Sequence, residues 1–106
     1  VNLVITRAGS SMLAELINVK IPFVSVPLPS SAENHQLKNA IFYERKKLCF
    51  LIHEKDLNKK LIYLIRELYE NNSILDEIKK NQRQYSDKNV YNNINQVLKI
   101  LFNEKN

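Results

Sequence analysis

Three short apolar runs, separated by segments with helical spacing, constrain the fold of this chain more than any other feature. The runs cover residues 1–6, 23–26 and 48–52 and are rich in β-branched and aromatic residues, a composition that favours buried strands. Strands that alternate with helices through short connections form a parallel sheet with crossover helices. The sequence therefore predicts an α/β fold.

The segments between and after these runs predict the helices. Ser10 or Ser11 is a suitable cap for the first helix, which the Lys20-Ile21-Pro22 segment ends. The second helix should begin near Glu33 or Asn34 and reach residue 47. From residue 56 onward the pattern is helical, over 56–70, 74–85 and 90–103, with start signals at Ser73 and Ser86-Asp87. We therefore expect a strand–helix core over residues 1–55 and C-terminal helices over 56–106.

Composition limits the range of functions. A chain of 106 residues with 44% hydrophobic content can bury one modest core. The formal charge of +5 arises mainly after residue 44, where acidic residues are interleaved, so a solvated helical surface is expected. The basic residues are not gathered around aromatics or on one helix, which argues against a nucleic-acid partner. An anionic membrane surface remains a possible partner of the basic C-terminal helices.

The remaining features of the sequence bear on the cellular compartment and on whether the chain is part of a longer protein. The lone Cys49 cannot form an intrachain disulfide and fits a structural thiol in a reducing cytosol, and the two histidines show no metal-ligand spacing. No apolar stretch approaches the roughly 20 residues of a membrane span. The chain begins with Val1 inside a strand pattern. We therefore expect a fragment of a longer protein.

Ligands of open parallel sheets bind beyond the carboxyl ends of the strands, where residues 7–11 and 27–34 should lie. Gly9 permits close backbone approach there, and the amides that begin the next helix would face a ligand. Those amides belong to Ser10, Ser11 and Met12. A single glycine at this place is more often part of an ordinary strand-to-helix turn, and no complete phosphate-binding loop is present.

Three polar side chains near this edge are further candidates. Glu15 lies one helical turn after Ser11, where a carboxylate can accept two hydrogen bonds from a vicinal diol, although a helix-surface glutamate is usually solvated. Gln36 can donate to and accept from sugar hydroxyls. His35 is either a general base or a packing histidine, and the sequence places no orienting carboxylate beside it.

The spacing of these residues as a set resembles the C-terminal domain of family 28 glycosyltransferases. The resemblance rests on the motif Arg-Ala-Gly-Ser-Ser-Met-Leu-Ala-Glu-Leu over residues 7–16, on Pro22 and Pro27, and on Glu-Asn-His-Gln-Leu-Lys-Asn-Ala over residues 33–40. It is specific over residues 1–40, and beyond them only the helical layout agrees. It implies the second half of a Rossmann-like domain in a two-domain (GT-B) enzyme, ending in a helical segment.

The resemblance also implies a function and roles for residues. The family pattern it matches best belongs to an inverting transfer of N-acetylglucosamine from UDP-GlcNAc to a lipid-linked muramoyl-pentapeptide in bacterial peptidoglycan synthesis. Glu15 would hold the uridine ribose, and His35 and Gln36 would contact the donor sugar. Gly9 and the amides of Ser10, Ser11 and Met12 would meet the sugar and diphosphate. Arg7 would lie near the donor or be structural.

The same resemblance implies what this chain would lack. The acceptor site and the catalytic base would lie on an N-terminal domain, so no catalytic residue is expected here and the fragment alone should be inactive. UDP-GlcNAc would be a substrate, with no cofactor and no metal. The enzyme would be peripheral at the cytoplasmic face of the plasma membrane. A different UDP-sugar transferase, a nucleotide-sugar hydrolase of the same fold and a non-catalytic subunit of a split transferase remain alternatives.

Two positions depart from the family pattern. Met12 replaces the usual threonine or serine, so only its backbone amide is available to a ligand. Lys20 replaces a common glycine before Pro22, which predicts a differently formed turn.

Overall fold

A computed structural model describes residues 3–30 and 34–104, with side-chain surroundings up to residue 89. The elements follow the predicted strand–helix alternation and end in two helices. They are β1 (Val4–Thr6), α1 (Ser10–Asn18), β2 (Phe23–Ser25), α2 (His35–Arg45), β3 (Phe50–Leu51), a 3₁₀ turn (Glu54–Asp56), α3 (Leu57–Glu70) and α4 (Ser73–Glu104).

The three strands form one parallel sheet in the order β1-β2-β3. Ile5 is paired with Val24, and Val24 in turn with Phe50, so the central strand β2 is bonded on both edges. Because consecutive parallel strands need a crossover, α1 and α2 connect them. The predicted parallel sheet with crossover helices is confirmed, although each strand is shorter than the apolar run that encodes it.

The pleat of β2 divides the core between the two faces of the sheet, since successive side chains point to opposite sides. Phe23 is fully buried against α1 and α2, in a cluster with Leu13, Leu16, Ile17, Ala40, Leu48 and Cys49. Val24 and Val26 lie on the other face with Ile52, where leucines of α3 cover them. The molecule is thus layered as helices, sheet and helix. Each fully buried large side chain contributes roughly 1.5–3 kcal/mol to the stability of this core.

Helix α1 begins one residue earlier than its serines predict. Gly9 occupies the cap position in an extended conformation, and no described side chain caps the helix. Ser10 and Ser11 lie inside the first turn with exposed side chains, so the prediction that one of them caps α1 was wrong. The Leu13 amide donates to the Gly9 carbonyl at 3.1 Å, which fixes Gly9 as the start of the helix.

The turn after α1 depends on an unusual backbone conformation at Lys20. Its φ is 58°, in the left-handed region that glycine adopts with little strain. The Lys20 amide donates to the Ile17 carbonyl, and the Ile21 amide donates to the Leu16 carbonyl. Lys20 therefore adopts a backbone conformation that glycine would adopt with less strain.

Helix α4 is continuous from Ser73 to Glu104, so the prediction of two helices divided at Ser86 was wrong. Ser86 is a good start signal locally, but its side chain is buried and its hydroxyl donates to the Ile17 carbonyl at 3.2 Å. The hydroxyl therefore binds α1 and does not cap a new helix. Within the part of the chain that the structure describes, no helix is both long and apolar enough to cross a membrane.

Candidate functional site

The carboxyl edge of the sheet gathers most of the residues that the sequence singled out. Strands β1, β2 and β3 end at Thr6, Ser25 and Leu51, and residues 7–9, 26–34 and 52–56 follow them. Parallel strands present their carboxyl ends at one edge, and helices α1 and α2 begin there. The candidate site is therefore built from two helix starts and the segment after β3.

The segment between β1 and α1 is held on two sides. The side chain of Ala8 is fully buried, and its carbonyl accepts a hydrogen bond of 3.3 Å from Asn39 Nδ2 of α2. The Arg7 guanidinium forms an ion pair with the Glu54 carboxylate, Nη2 to Oε1, at 2.5 Å. Both charged side chains are about half exposed, so the pair adds at most about 1 kcal/mol to stability. The ion pair joins the segment after β1 to the segment after β3, the strands on either side of β2, and so fixes the position of Arg7.

The described part of the fold does not require a glycine at residue 9. Its φ of −68° is ordinary for any residue, and a Cβ placed on it would meet nothing within 4 Å among the described residues. Neither backbone strain nor packing within the described chain therefore requires glycine at this position. The open space in front of it can admit the backbone-close approach of another group.

The start of α1 presents unneutralised backbone donors. Among the residues that the structure describes, no side chain caps it, and its first turn contains no acidic residue. The first amides of a helix have no intrahelical acceptor and carry the positive end of the helix dipole. Ser10, Ser11 and Met12 are exposed around these amides. This helix start is suited to an anionic group such as a phosphate.

Glu15 is exposed one turn further along α1, four residues after Ser11. The buried stripe of the helix comprises Leu13, Leu16 and Ile17, so Glu15 lies outside the core. Within the described residues its carboxylate forms no ion pair. A free carboxylate beside a cluster of amides can bind a ligand that carries both hydroxyls and phosphate.

The start of α2 brings the predicted His35 and Gln36 to the same edge. Asn34 precedes them with a left-handed φ of 57°, and residues 31–33, which include Glu33, lie outside the described residues. Gln36 is half-buried, and its Oε1 accepts a hydrogen bond of 2.8 Å from the Leu28 amide. The bond orients the side-chain amide and joins α2 to the segment after β2. His35 is exposed at the first position of the helix.

A cavity of about 320 Å³ lies between the segment after β2 and the segment after β3. Its lining comprises Pro27, Leu28, Pro29, Asn34, Leu37, His53, Glu54 and Lys55. Sequence reasoning missed Glu54, because one carboxylate in a polar segment gives no periodic signal. Asn39 was part of the motif over residues 33–40 but received no role, and its contact with Ala8 now gives it one.

Cys49 lies in the core and not in the site. Burial raises the pKa of its thiol from the ordinary 9.0 to about 12; the Ser25 hydroxyl, 3.8 Å from Sγ, opposes the rise, and Glu44 adds to it. Such a thiol stays protonated and unreactive at neutral pH. Among residues 3–30 and 34–104, no three His, Cys, Asp or Glu side chains are grouped to hold a metal ion.

Comparison with known proteins gives consistent matches over nearly the whole chain. Residues 1–97 match the model of the glycosyltransferase family 28 C-terminal domain. A UDP-N-acetylglucosamine--N-acetylmuramyl-(pentapeptide) pyrophosphoryl-undecaprenol N-acetylglucosamine transferase of Pelagibacter ubique is 36% identical over 97% of this chain. The transferase of the same name from Rickettsia akari is 41% identical over 76% of it.

A solved structure agrees with the fold. The crystal structure of MurG from Acinetobacter baumannii superposes with a TM-score of 0.67 at 25% identity, covering 79% of this chain. The chain spans only 29% of the Pelagibacter relative, 21% of the Rickettsia relative and 25% of the Acinetobacter protein. With a family model matched over 97 of its 106 residues, the chain belongs to the C-terminal domain family of family 28 glycosyltransferases.

Proposed function

We propose that this chain is the donor-binding part of an inverting glycosyltransferase that moves N-acetylglucosamine from UDP-GlcNAc to a lipid-linked muramoyl-pentapeptide. The observation that carries the proposal is the joint exposure of the uncapped α1 start and Glu15 at the carboxyl edge of the sheet. The names of the relatives, which match up to 97% of the chain, supply the donor and the acceptor.

The start of α1 would bind the diphosphate. Gly9 leaves room for the ligand, and the amides of Ser10, Ser11 and Met12 point their hydrogens toward it. Hydrogen bonds to a charged acceptor contribute roughly 1.5–3 kcal/mol each. Because the Met12 side chain has no hydroxyl, its contribution comes from the backbone alone.

Glu15 would accept hydrogen bonds from the two ribose hydroxyls. Both oxygens of a carboxylate can accept, and the spacing of vicinal hydroxyls suits this bidentate contact. Its place one turn from the α1 start fits a nucleotide that lies along the helix, with diphosphate at the first amides and ribose at Glu15.

Gln36 and His35 would contact the donor sugar from α2. The Leu28 amide donates to Gln36 Oε1 and so fixes the orientation of this side-chain amide at the start of α2. Arg7 would act mainly as a structural residue, because its guanidinium is held by Glu54. Its ion pair fixes the segment that carries Gly9.

Catalysis would rest on positioning and on stabilising the departing diphosphate. In an inverting transfer, the acceptor oxygen attacks the anomeric carbon as the bond to the diphosphate breaks, and a base removes the acceptor proton. The α1 amides would stabilise the charge that develops on the leaving diphosphate. The base and the acceptor site would lie on a second domain, so this chain would orient one reactant. No cofactor takes part in this scheme, and the UDP-GlcNAc is consumed.

A lipid-linked acceptor requires the enzyme to work at a membrane. We therefore propose a peripheral enzyme at the cytoplasmic face of the plasma membrane, held in part by anionic lipids. The net charge of +5 supports this electrostatic contribution.

Replacement of Glu15 tests the donor assignment in the intact transferase. Glu15→Ala should raise the KM for UDP-GlcNAc at least about tenfold, because a charged hydrogen bond contributes roughly 1.5–3 kcal/mol. Glu44→Ala, an exposed glutamate on α2, is the matched control and should leave this KM unchanged. An unaltered KM in Glu15→Ala would remove the ribose assignment, and turnover of a different nucleotide sugar would replace the proposed substrate.

A further inference from the structure

The cavity of about 320 Å³ at the carboxyl edge is not used by the proposed contacts with the donor. One of its walls comes from the segment after β2 and the start of α2, and the other comes from residues 53–55 after β3. Its apolar lining consists of Pro27, Leu28, Pro29 and Leu37, and its polar lining consists of Asn34, His53, Glu54 and Lys55. We call this space the edge cavity.

Two contacts join the walls of the edge cavity to the donor site. The Leu28 amide donates to Gln36 Oε1 at 2.8 Å, and the Glu54 carboxylate pairs with Arg7, two residues before Gly9. Each wall is therefore bonded to a residue of the proposed donor site. A group that fills the edge cavity would be a close neighbour of the donor sugar.

The polar side of the edge cavity carries an uncompensated positive charge. The carboxylate of Glu54 is neutralised by Arg7. Lys55 is exposed, and among the described residues its ammonium forms no ion pair. The imidazole of His53, exposed beside it, is a further hydrogen-bonding group. This side of the cavity is suited to a carboxylate.

The opposite side of the edge cavity suits a peptide better than a second sugar. Pro27 and Pro29 have no backbone N–H to donate, and with Leu28 and Leu37 they form an apolar surface that offers few partners to sugar hydroxyls. The side-chain amide of Asn34 can both donate to and accept from a peptide group. The volume lies near the lower end of the range of roughly 300–1,000 Å³ for ligand pockets, which leaves room for a few residues.

We propose that the edge cavity binds the pentapeptide of the acceptor, with the terminal carboxylate of the peptide at Lys55 and apolar side chains against Leu28 and Leu37. The inference rests on the proposed function, and the pentapeptide is named in the relatives that match this chain. The accepting sugar carries the peptide, so the transfer brings the peptide beside the donor. Five extended residues span at most about 18 Å, which allows the carboxylate to reach a cavity adjoining the donor site. The accepting sugar would remain on the second domain, and its peptide would cross to this one.

A pair of acceptors tests the carboxylate contact in the intact transferase. Both are short-chain, water-soluble muramoyl-pentapeptide pyrophosphoryl lipids, and they differ only in a terminal carboxylate or a terminal carboxamide. The variant is Lys55→Gln. The matched control is Lys59→Gln, which changes an exposed lysine four positions later that does not line the edge cavity. Steady-state kinetics give the KM of each enzyme for each acceptor and for UDP-GlcNAc.

Lys55→Gln should raise the KM for the carboxylate acceptor about fivefold, because an exposed ion pair is lost, and should leave the KM for the carboxamide acceptor unchanged. Lys59→Gln should change neither value. Leu28→Ser should raise both acceptor KM values about threefold, since an apolar contact is lost while the backbone amide that binds Gln36 is kept. The proposal is overturned if Lys55→Gln treats the two acceptors alike, or if Leu28→Ser changes neither KM. A rise in the KM for UDP-GlcNAc in Lys55→Gln would also overturn it, because the cavity would then belong to the donor.

The unaltered enzyme separates this inference from the proposed function. If it transfers no N-acetylglucosamine from UDP-GlcNAc to either acceptor, the proposed function fails. If its turnover is normal and Lys55→Gln does not distinguish the carboxylate from the carboxamide, only the peptide site fails.

Discussion

The side-chain amide of Asn39 donates a hydrogen bond of 3.3 Å to the carbonyl of Ala8, which lies 31 positions earlier in the chain. The bond joins the second helix to the segment between β1 and α1. That segment carries Gly9 and leads directly into the exposed amides of the candidate site. Asn39 therefore positions the proposed diphosphate site from outside it.

Asn39→Ala should raise the donor KM several-fold and lower the free energy of unfolding by about 1 kcal/mol, since one partly buried hydrogen bond is lost. Steady-state kinetics and urea denaturation measure the two effects. Asn81→Ala is the control, because Asn81 makes a comparable bond of 3.0 Å to the Lys47 carbonyl, away from the carboxyl edge. If the two variants change the donor KM equally, Asn39 has no special effect on the site.

Gln82 of α4 should be among the polar residues most important to stability. It is fully buried, and its Nε2 donates to the carbonyls of Ile21 and Leu48 at 2.9 and 3.1 Å. Gln82→Leu removes both bonds from a buried site and should lower the free energy of unfolding, measured by urea denaturation, by about 2 kcal/mol. Gln84→Leu, an exposed position on the same helix, should change stability little. Equal stability of the two variants would contradict this role.

The thiol of Cys49 should make stability depend on pH in the alkaline range. Its folded pKa is about 12, against 9.0 ordinarily, so the unfolded chain releases the proton first as pH rises. The free energy of unfolding should then fall between about pH 9 and 12, by up to about 1.4 kcal/mol per pH unit. In Cys49→Ala, the free energy of unfolding measured by urea denaturation should fall less steeply with pH across this range. Tyr43, whose pKa is raised mainly by burial, contributes in the same direction in both proteins.

Lys20→Gly should stabilise the chain by about 0.5 kcal/mol. The left-handed backbone costs a lysine roughly 1–2 kcal/mol, and the greater freedom of unfolded glycine offsets part of the gain. Lys47, with a φ of 58°, should respond in the same way. Lys59→Gly, inside α3, should instead lose about 1 kcal/mol. Destabilisation by Lys20→Gly in thermal unfolding would show that the lysine side chain makes a compensating contact.

The sheet and its carboxyl edge could be predicted because their signals are local. The apolar runs encode the strands, and the alternation of strand and helix patterns requires parallel pairing. The motif around Gly9 and Glu15 then fell at the edge that the topology predicts. Family resemblance added the donor, and the match over residues 1–97 confirmed the family.

The features that escaped prediction depend on residues far apart in the chain. Ser86 has the local chemistry of a helix start, but its hydroxyl bonds to Ile17, 69 positions away, and the helix continues. Arg7 pairs with Glu54, which lies 47 positions later in the chain, and no local pattern in either segment predicts this pair. The cap of α1 was assigned to a serine on propensity, whereas Gly9 takes the position and leaves the amides open.

The two acceptors of Gln82 also lead us to expect an order of assembly. The Ile21 carbonyl lies in the turn before β2, and the Leu48 carbonyl lies in the turn before β3. The two carbonyls therefore come close to each other only after both crossovers have formed. The strands pair with their neighbours in sequence, across shorter separations than those that join Gln82 to Ile21 and Leu48. Helix α4 should therefore dock after these three strands have paired, and during synthesis from the N-terminus the three strands would emerge before the helix that packs on them.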